Sequence, residues 1–195
     1  VSVKAVTGSA QQDTVDGGSG TDTLNLDYSA ENYGRGLVYN FYNAENVDAG
    51  FDTTGNLSAI QTAKAAAVRT YFNGYYTGVS ATGVEIANIT GTALGDLIVY
   101  QNGSAYDGKA GTDTFYADWS AKTAALNWTN TGAAYTYDGT TISNVERLLL
   151  LAGGGNDVIA NGGATYDEIR TGSGNDTVSV KAVTGSAQQD TVDGG

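Results

Sequence analysis

The chain has no histidine, cysteine, methionine or proline in 195 residues. Each absence closes off a class of chemistry. Without cysteine there is no disulfide staple, no thiolate zinc site and no cysteine nucleophile. Without histidine the usual general base is missing, together with the commonest transition-metal ligand. A metal held by this chain must therefore be hard and oxygen-seeking. Positive charge is scarce too: 9 Lys and Arg stand against 21 Asp and Glu, for a formal charge of -12. No basic stripe exists to neutralise phosphates, which argues against nucleic acid and against an anionic membrane surface. No apolar run approaches the ~20 residues of a membrane span. No signal peptide is recognisable; Val1 falls in mid-pattern, so the natural chain is expected to begin upstream.

An acidic chain of this kind either stays disordered or collects cations. The 41% hydrophobic content and the 13 tyrosines argue against disorder, because enough apolar surface is present to build a core. Cation collection is the better reading.

Self-similarity organises the sequence. Residues Val1 to Gly18, VSVKAVTGSAQQDTVDGG, recur unchanged as Val178 to Gly195. Identity of this extent reflects recent tandem duplication or an engineered repeat, not the constraint of a fold. The period is 177 residues, and 178–195 overlaps into the next copy. An older duplication lies inside the period. TDTLNLDYSA from Thr21 matches TDTFYADWSA from Thr112, Val84-Glu85 matches Val145-Glu146, and QNGSAYD from Gln101 matches NGGATYD from Asn161. The chain divides accordingly into 1–18, a first half-repeat 19–110, a second half-repeat 111–177, and 178–195. The first half carries about 30 extra residues, because 63 positions separate Asp22 from Glu85 but only 33 separate Asp113 from Glu146. The surplus falls near 56–73. There the spacing of Leu57, Ile60, Ala63, Ala67, Val68 and Tyr71 predicts an amphipathic helix capped at Asn56 or Ser58 and packed on the flank of a β structure.

The recurrent unit is a glycine-rich turn ending in aspartate, followed by x-U-x with U apolar. Instances are GGSGTDTLN (Gly17), GKAGTDTFY (Gly108), AGGGNDVIA (Ala152) and TGSGNDTVS (Thr171). Degenerate copies end at Asp13, Asp96, Asp167 and Asp190. Glycine supplies backbone angles that wrap a turn around an ion. Turn carbonyls and aspartates supply the hard oxygens that Ca²⁺ prefers. The x-U-x segment is a short strand whose U faces a narrow core: Leu24, Ile98, Phe115, Ile159, Ile169, Val178 and Val192. The candidate calcium residues are Asp13, Gly18, Gly20 and Asp22; Asp96, Gly108, Gly111 and Asp113; Gly153, Gly155 and Asp157; and Asp167, Gly172, Gly174, Asp176 and Asp190. Lys109 stands where a glycine is usual, and Gln11, Gln12 and their copies Gln188, Gln189 replace further turn positions. Such turns are expected to be structural at least in part.

The motif resembles the RTX (repeats-in-toxin) family of calcium-binding nonapeptide repeats, directly over about half of the chain. The resemblance implies an all-β, right-handed parallel β-roll or β-helix in which turns about 18 residues apart stack. Asp96 would then lie over Asp113, Asp157 over Asp176 and Asp167 over Asp190, each of the first two pairs clamping an ion. It also implies type I secretion of an unfolded chain that folds outside the cell in roughly 10⁻⁴ to 10⁻³ M calcium. The expected role is a structural, secreted or cell-surface repeat whose partners are neighbouring copies of itself. A glycan- or surface-binding adhesin module is the alternative, using tyrosines such as Tyr71, Tyr75, Tyr76, Tyr135 and Tyr137. No catalytic residues are expected: the carboxylates are accounted for by turns, and the four arginines share no motif. Asp27 and Asp118, in DYS and DWS, are expected to hold backbone amides at strand ends.

Overall fold

The computed structural model describes residues 1–4, 11–31, 36, 38–41, 57–66, 70–73, 77–183 and 189–195. The fold is all-β with one described helix, α1 (Leu57–Ala66). A first sheet runs in the order β1 (Ser2–Lys4), β3 (Thr23–Asp27), β7 (Ile86–Thr90), β9 (Ala105–Asp107), β13 (Thr140–Ser143), β12 (Tyr135–Tyr137). The second runs β18 (Thr191–Asp193), β16 (Glu168–Arg170), β14 (Arg147–Leu151), β10 (Thr114–Asp118), β8 (Leu97–Val99), β4 (Val38–Phe41), β5 (Thr70–Asn73), β6 (Thr77–Thr82), β2 (Gln11–Asp16). The third is β11 (Asn127–Asn130), β15 (Val158–Asn161), β17 (Thr177–Val180).

Most neighbouring strands are parallel, and a parallel pair needs a crossover to return the chain to its starting end. Here the crossover is a strand of another sheet. From β7 the chain passes to β8, back to β9, and on to β10. After β11 and the β12–β13 hairpin it alternates again through β14, β15, β16, β17 and β18. Within the two alternating stretches neighbours are 17, 19 or 23 residues apart in sequence, and across the stretch that holds β11, β12 and β13 they are 31 to 36 apart. The antiparallel pairs are β12–β13, β4–β5 and β5–β6. The first of these turns on Asp138 and Gly139, both at positive φ, as a tight two-residue hairpin needs.

Alternation along each strand sends the U residues into one core. Leu24, Ile98, Phe115, Ile159 and Ile169 are fully buried. Tyr106 of the first sheet and Trp128 of the third both pack on Phe115 of the second, with ring centroids 6.0 Å apart. Trp119 closes the cluster at 6.0 Å from Phe115. Val178 is half-buried against this core, whereas Val192 is 46% exposed. Val192 departs from expectation because β18 is the last strand of its sheet and no further coil covers it.

The second sheet is buried on its other face as well, through Leu97, Val99, Tyr116 and Leu149. The helix lies on that side: Leu57 and Ile60 are buried, and the Leu57 amide donates to Glu168 Oε2 at 2.9 Å. Glu168 sits beside Leu149 in register and supplies a carboxylate to the helix N-terminus. The helix is shorter than its periodicity predicts. The described helix runs from Leu57 to Ala66, and Tyr71 belongs to β5, where pairing with both β4 and β6 wins over the helical pattern. Asn56, Ala67 and Val68 lie outside the described residues.

Candidate functional site

Each acidic turn residue sits one position before a strand, so its backbone amide is the first one outside the ladder; the exception is Asp13, which lies within β2, paired with Val79, and not at the end of a turn as the motif predicts. Parallel pairing of the strands brings the next carboxylate within reach of that first amide. The Asp96 amide donates to Asp113 Oδ1 at 2.7 Å, and the Asp113 amide to Glu146 Oε2 at 2.8 Å. Leu148 N then donates to Asp167 Oδ1 at 2.8 Å, and Asp167 N to Asp190 Oδ1 at 2.9 Å. These residues line one end of the second sheet. On the first and third sheets the Asp22 amide donates to Glu85 Oε2 at 2.9 Å, Leu126 N to Asp157 Oδ1 at 2.8 Å, and Asp157 N to Asp176 Oδ1 at 2.8 Å. Asp96 and Asp113, Asp157 and Asp176, and Asp167 and Asp190 are thus neighbours, as a stack of turns implies. What links each pair directly is a charge-assisted hydrogen bond.

The glutamates of this ladder, Glu85 and Glu146, are not among the residues that the motif singles out. Their signal is present nonetheless, since each follows a valine and precedes a strand in both half-repeats.

The second oxygen of each carboxylate divides the turns into two classes. Asp96 Oδ2 accepts from Thr92 N at 2.8 Å, and its Oδ1 from Thr92 Oγ1 at 2.7 Å. Asp167 receives Asn161 Nδ2 on both oxygens, at 3.0 and 2.9 Å. These degenerate turns are satisfied from within. By contrast, Oδ2 of Asp22, Asp113, Asp157 and Asp176 is buried with no hydrogen-bond partner. Those four are the aspartates of the GGSGTDTLN, GKAGTDTFY, AGGGNDVIA and TGSGNDTVS turns. A buried carboxylate oxygen without a partner costs about 1–3 kcal/mol, and more when charged.

Electrostatics sharpens the point at Asp113. Burial, with the like charges of Asp96, Glu146 and Asp107 nearby, pushes its carboxyl up to about 8. Burial also raises Asp167, against the pull of the Leu148 amide and of Asn161.

Glycines make room for this stacking. Gly18, Lys109 and Gly172 share one left-handed conformation, at φ 84, 72 and 79°. Lys109 thus takes a backbone position suited to glycine while its Nζ pairs with Asp107 at 2.9 Å. A side chain at Gly174 would meet Gly155 O at 1.9 Å, and one at Gly108 would meet Asp113 Oδ2 at 2.6 Å. Gly20 and Gly111 repeat a second positive φ, at 125 and 132°, and Gly153 is closed in by Lys122 O at 1.9 Å. Asp13 is exposed on β2.

A hard cation suits these four turns by donor chemistry, since each offers one partnerless carboxylate oxygen. Among the described residues no three or more Asp, Glu, His or Cys side chains converge as a metal cluster. Any ion there would take most of its ligands from backbone carbonyls and water.

Two further expectations are settled by geometry. Asp27 Oδ1 accepts from Ser29 N at 3.0 Å and Asp118 Oδ1 from Ser120 N at 3.1 Å, so both hold strand-end amides. Tyr135 stacks on Trp128 at 5.0 Å and 5°, and Tyr137 packs on Trp119 at 4.8 Å while its hydroxyl donates to Ala124 O. Those two rings are engaged with the core. The Tyr71 side chain and all of Tyr75 and Tyr76 lie outside what is described. Among the described residues no helix is long and apolar enough to cross a membrane. No protein-family model, curated protein or solved structure matches the chain.

Proposed function

We propose that this chain is a structural, calcium-binding repeat unit of an extracellular fibre, surface layer or adhesin stalk, folded as a β-roll and without enzymatic activity. One observation carries the reading. The partnerless buried oxygens fall on the four clearer copies of the motif, those ending at Asp22, Asp113, Asp157 and Asp176, while two of the degenerate turns, those of Asp96 and Asp167, satisfy theirs with Thr92 and Asn161. A divalent ion bound at Asp22, Asp113, Asp157 and Asp176 would remove the cost of burying those charges. Calcium is favoured over magnesium because ligands drawn from irregular backbone suit its larger, flexible shell of about six to eight oxygens. Strands that alternate between facing sheets, with parallel neighbours 17 to 19 residues apart, support the β-roll. The resemblance to RTX repeats supports secretion, with calcium met only outside the cell.

In this reading folding is linked to the ion. Without it the acidic turns repel one another and their glycines favour the unfolded chain. The test is far-UV circular dichroism of the chain during calcium titration, with magnesium as control. A cooperative gain of β signal at roughly 10⁻⁴ to 10⁻³ M calcium, unmatched by magnesium, is expected. A chain fully folded in chelator, with the same melting temperature after calcium addition, would overturn it.

A further inference from the structure

The segment that occurs twice is seen against two different neighbours, and the two views fit together. We infer that residues 178–195 form a shared joint between consecutive copies of the repeat, a strand pair hydrogen-bonded on one edge to its own copy and on the other edge to the next. This rests on the reading of the chain as a tandem repeat unit.

The first argument is backbone parity. Successive residues of a strand direct their amides to opposite edges. At the downstream end, Thr177 N donates to Asp157 O at 2.8 Å, so Val178 addresses the outer edge. Its counterpart Val1 uses that outer edge: Val1 N donates to Thr23 O and Val1 O accepts from Asn25 N. The second strand repeats the relation. Thr191 N donates to Asp167 O and Asp193 O accepts from Thr171 N, leaving Val192 and Gly194 to the outer edge. At the upstream end Gly17, the counterpart of Gly194, donates to Thr82 O at 2.9 Å. Among the described residues, none of these backbone groups of the segment is required twice.

Side chains divide in the same way. Val192 is 46% exposed where its counterpart Val15 is 7% exposed against β6. Val1 is 66% exposed where Val178 packs on the core. Asp13 is exposed, yet Asp190, its counterpart, accepts the Asp167 amide at 2.9 Å.

The glycine pair is the sharpest case. A side chain at Gly17 would strike Gly83 O at 1.9 Å, while at its counterpart Gly194 nothing lies within 4 Å. At Gly195 a side chain would strike Gly172 O at 1.7 Å, while at its counterpart Gly18 nothing lies within 4 Å. Each glycine is demanded by a different neighbour. Both copies close the same turn, with Gly18 N donating to Asp16 Oδ1 and Gly195 N to Asp193 Oδ1, each at 3.1 Å. Fusing the two views joins β16 through β18 to β6, and β15 through β17 to β3, so the sheets run unbroken from copy to copy. An exposed parallel edge, otherwise a template for aggregation, is covered by the next copy.

The test compares this chain with a chain extended by a second copy of residues 19–195, using residue-resolved amide exchange with and without calcium. Val192 and Gly194 amides are expected to slow by about tenfold or more in the two-copy chain, while Thr191 is bonded in both. Gly194→Ala should leave the melting temperature of the single chain unchanged, and should abolish the new protection at Val192 in the two-copy chain. Equal exchange at Val192 in the two chains would overturn the joint, as would a Gly194→Ala effect of the same size in both. A calcium-insensitive dichroism signal would sink the ion-binding reading alone, because exchange at Val192 decides the joint separately.

Discussion

Asp113 offers the most direct handle on the turns. Its carboxyl is buried, one oxygen holds the Asp96 amide, and the other has no partner. Between the ordinary aspartate value of 3.8 and the folded value of about 8, the folded state keeps a proton that the unfolded chain releases. The folded protein binds more protons throughout that window, so its stability in chelator falls as pH rises across it. The slope is about 1.4 kcal/mol per pH unit, which amounts to about 4 kcal/mol by pH 7. Asp113→Asn keeps an acceptor for the Asp96 amide and removes the charge, leaving an unpartnered amide nitrogen worth about 1–3 kcal/mol against it. In chelator at pH 7.5 the variant should be about 2 kcal/mol more stable than the parent. At pH 4 the advantage should vanish or reverse. Calcium at millimolar level should stabilise the parent more than the variant. Urea unfolding followed by fluorescence of the buried Trp119 and Trp128 reads all three quantities. A variant destabilised equally at both pH values would refute the burial argument. A calcium gain identical to the parent's would remove this turn from the set of ion sites.

Asp96→Asn should behave oppositely, because Thr92 already satisfies the side chain. A loss of about 1–3 kcal/mol in urea unfolding is expected, with the calcium midpoint unchanged. Phe115→Ala removes the ring on which Tyr106, Trp119 and Trp128 converge, and should cost about 3–5 kcal/mol by the same assay. Gly174→Ala combines φ 146° with a carbonyl 1.9 Å from the new Cβ. It should cost about 3 kcal/mol and blunt the calcium response seen by circular dichroism, because the turn ending at Asp176 can no longer stack.

Much of the fold was legible because it is written at fixed offsets. An apolar residue two positions after each turn aspartate placed Leu24, Ile98, Phe115, Ile159 and Ile169 in the core, and the stack of turns that the resemblance implies made neighbours of turn aspartates 17, 19 and 23 residues apart. The helix was legible at its start and not at its end. A ten-residue amphipathic run is decided by local spacing, whereas the fate of Tyr71 depends on β4 and β6, two partners that no local pattern names. The Glu85 contact to Asp22 spans 63 residues, so the Val-Glu pair repeated in both halves marks the residue but not its partner.

The sequence by itself determined which turns follow the motif, where the core residues alternate, and that one segment is used twice, since all three are periodic and periodicity needs no coordinates. Only the tertiary structure decided which carboxylates are already satisfied and which face of each repeated glycine is crowded. Both depend on what the neighbouring coil brings within about 3 Å, at the hydrogen-bonding and packing distances where these energies arise.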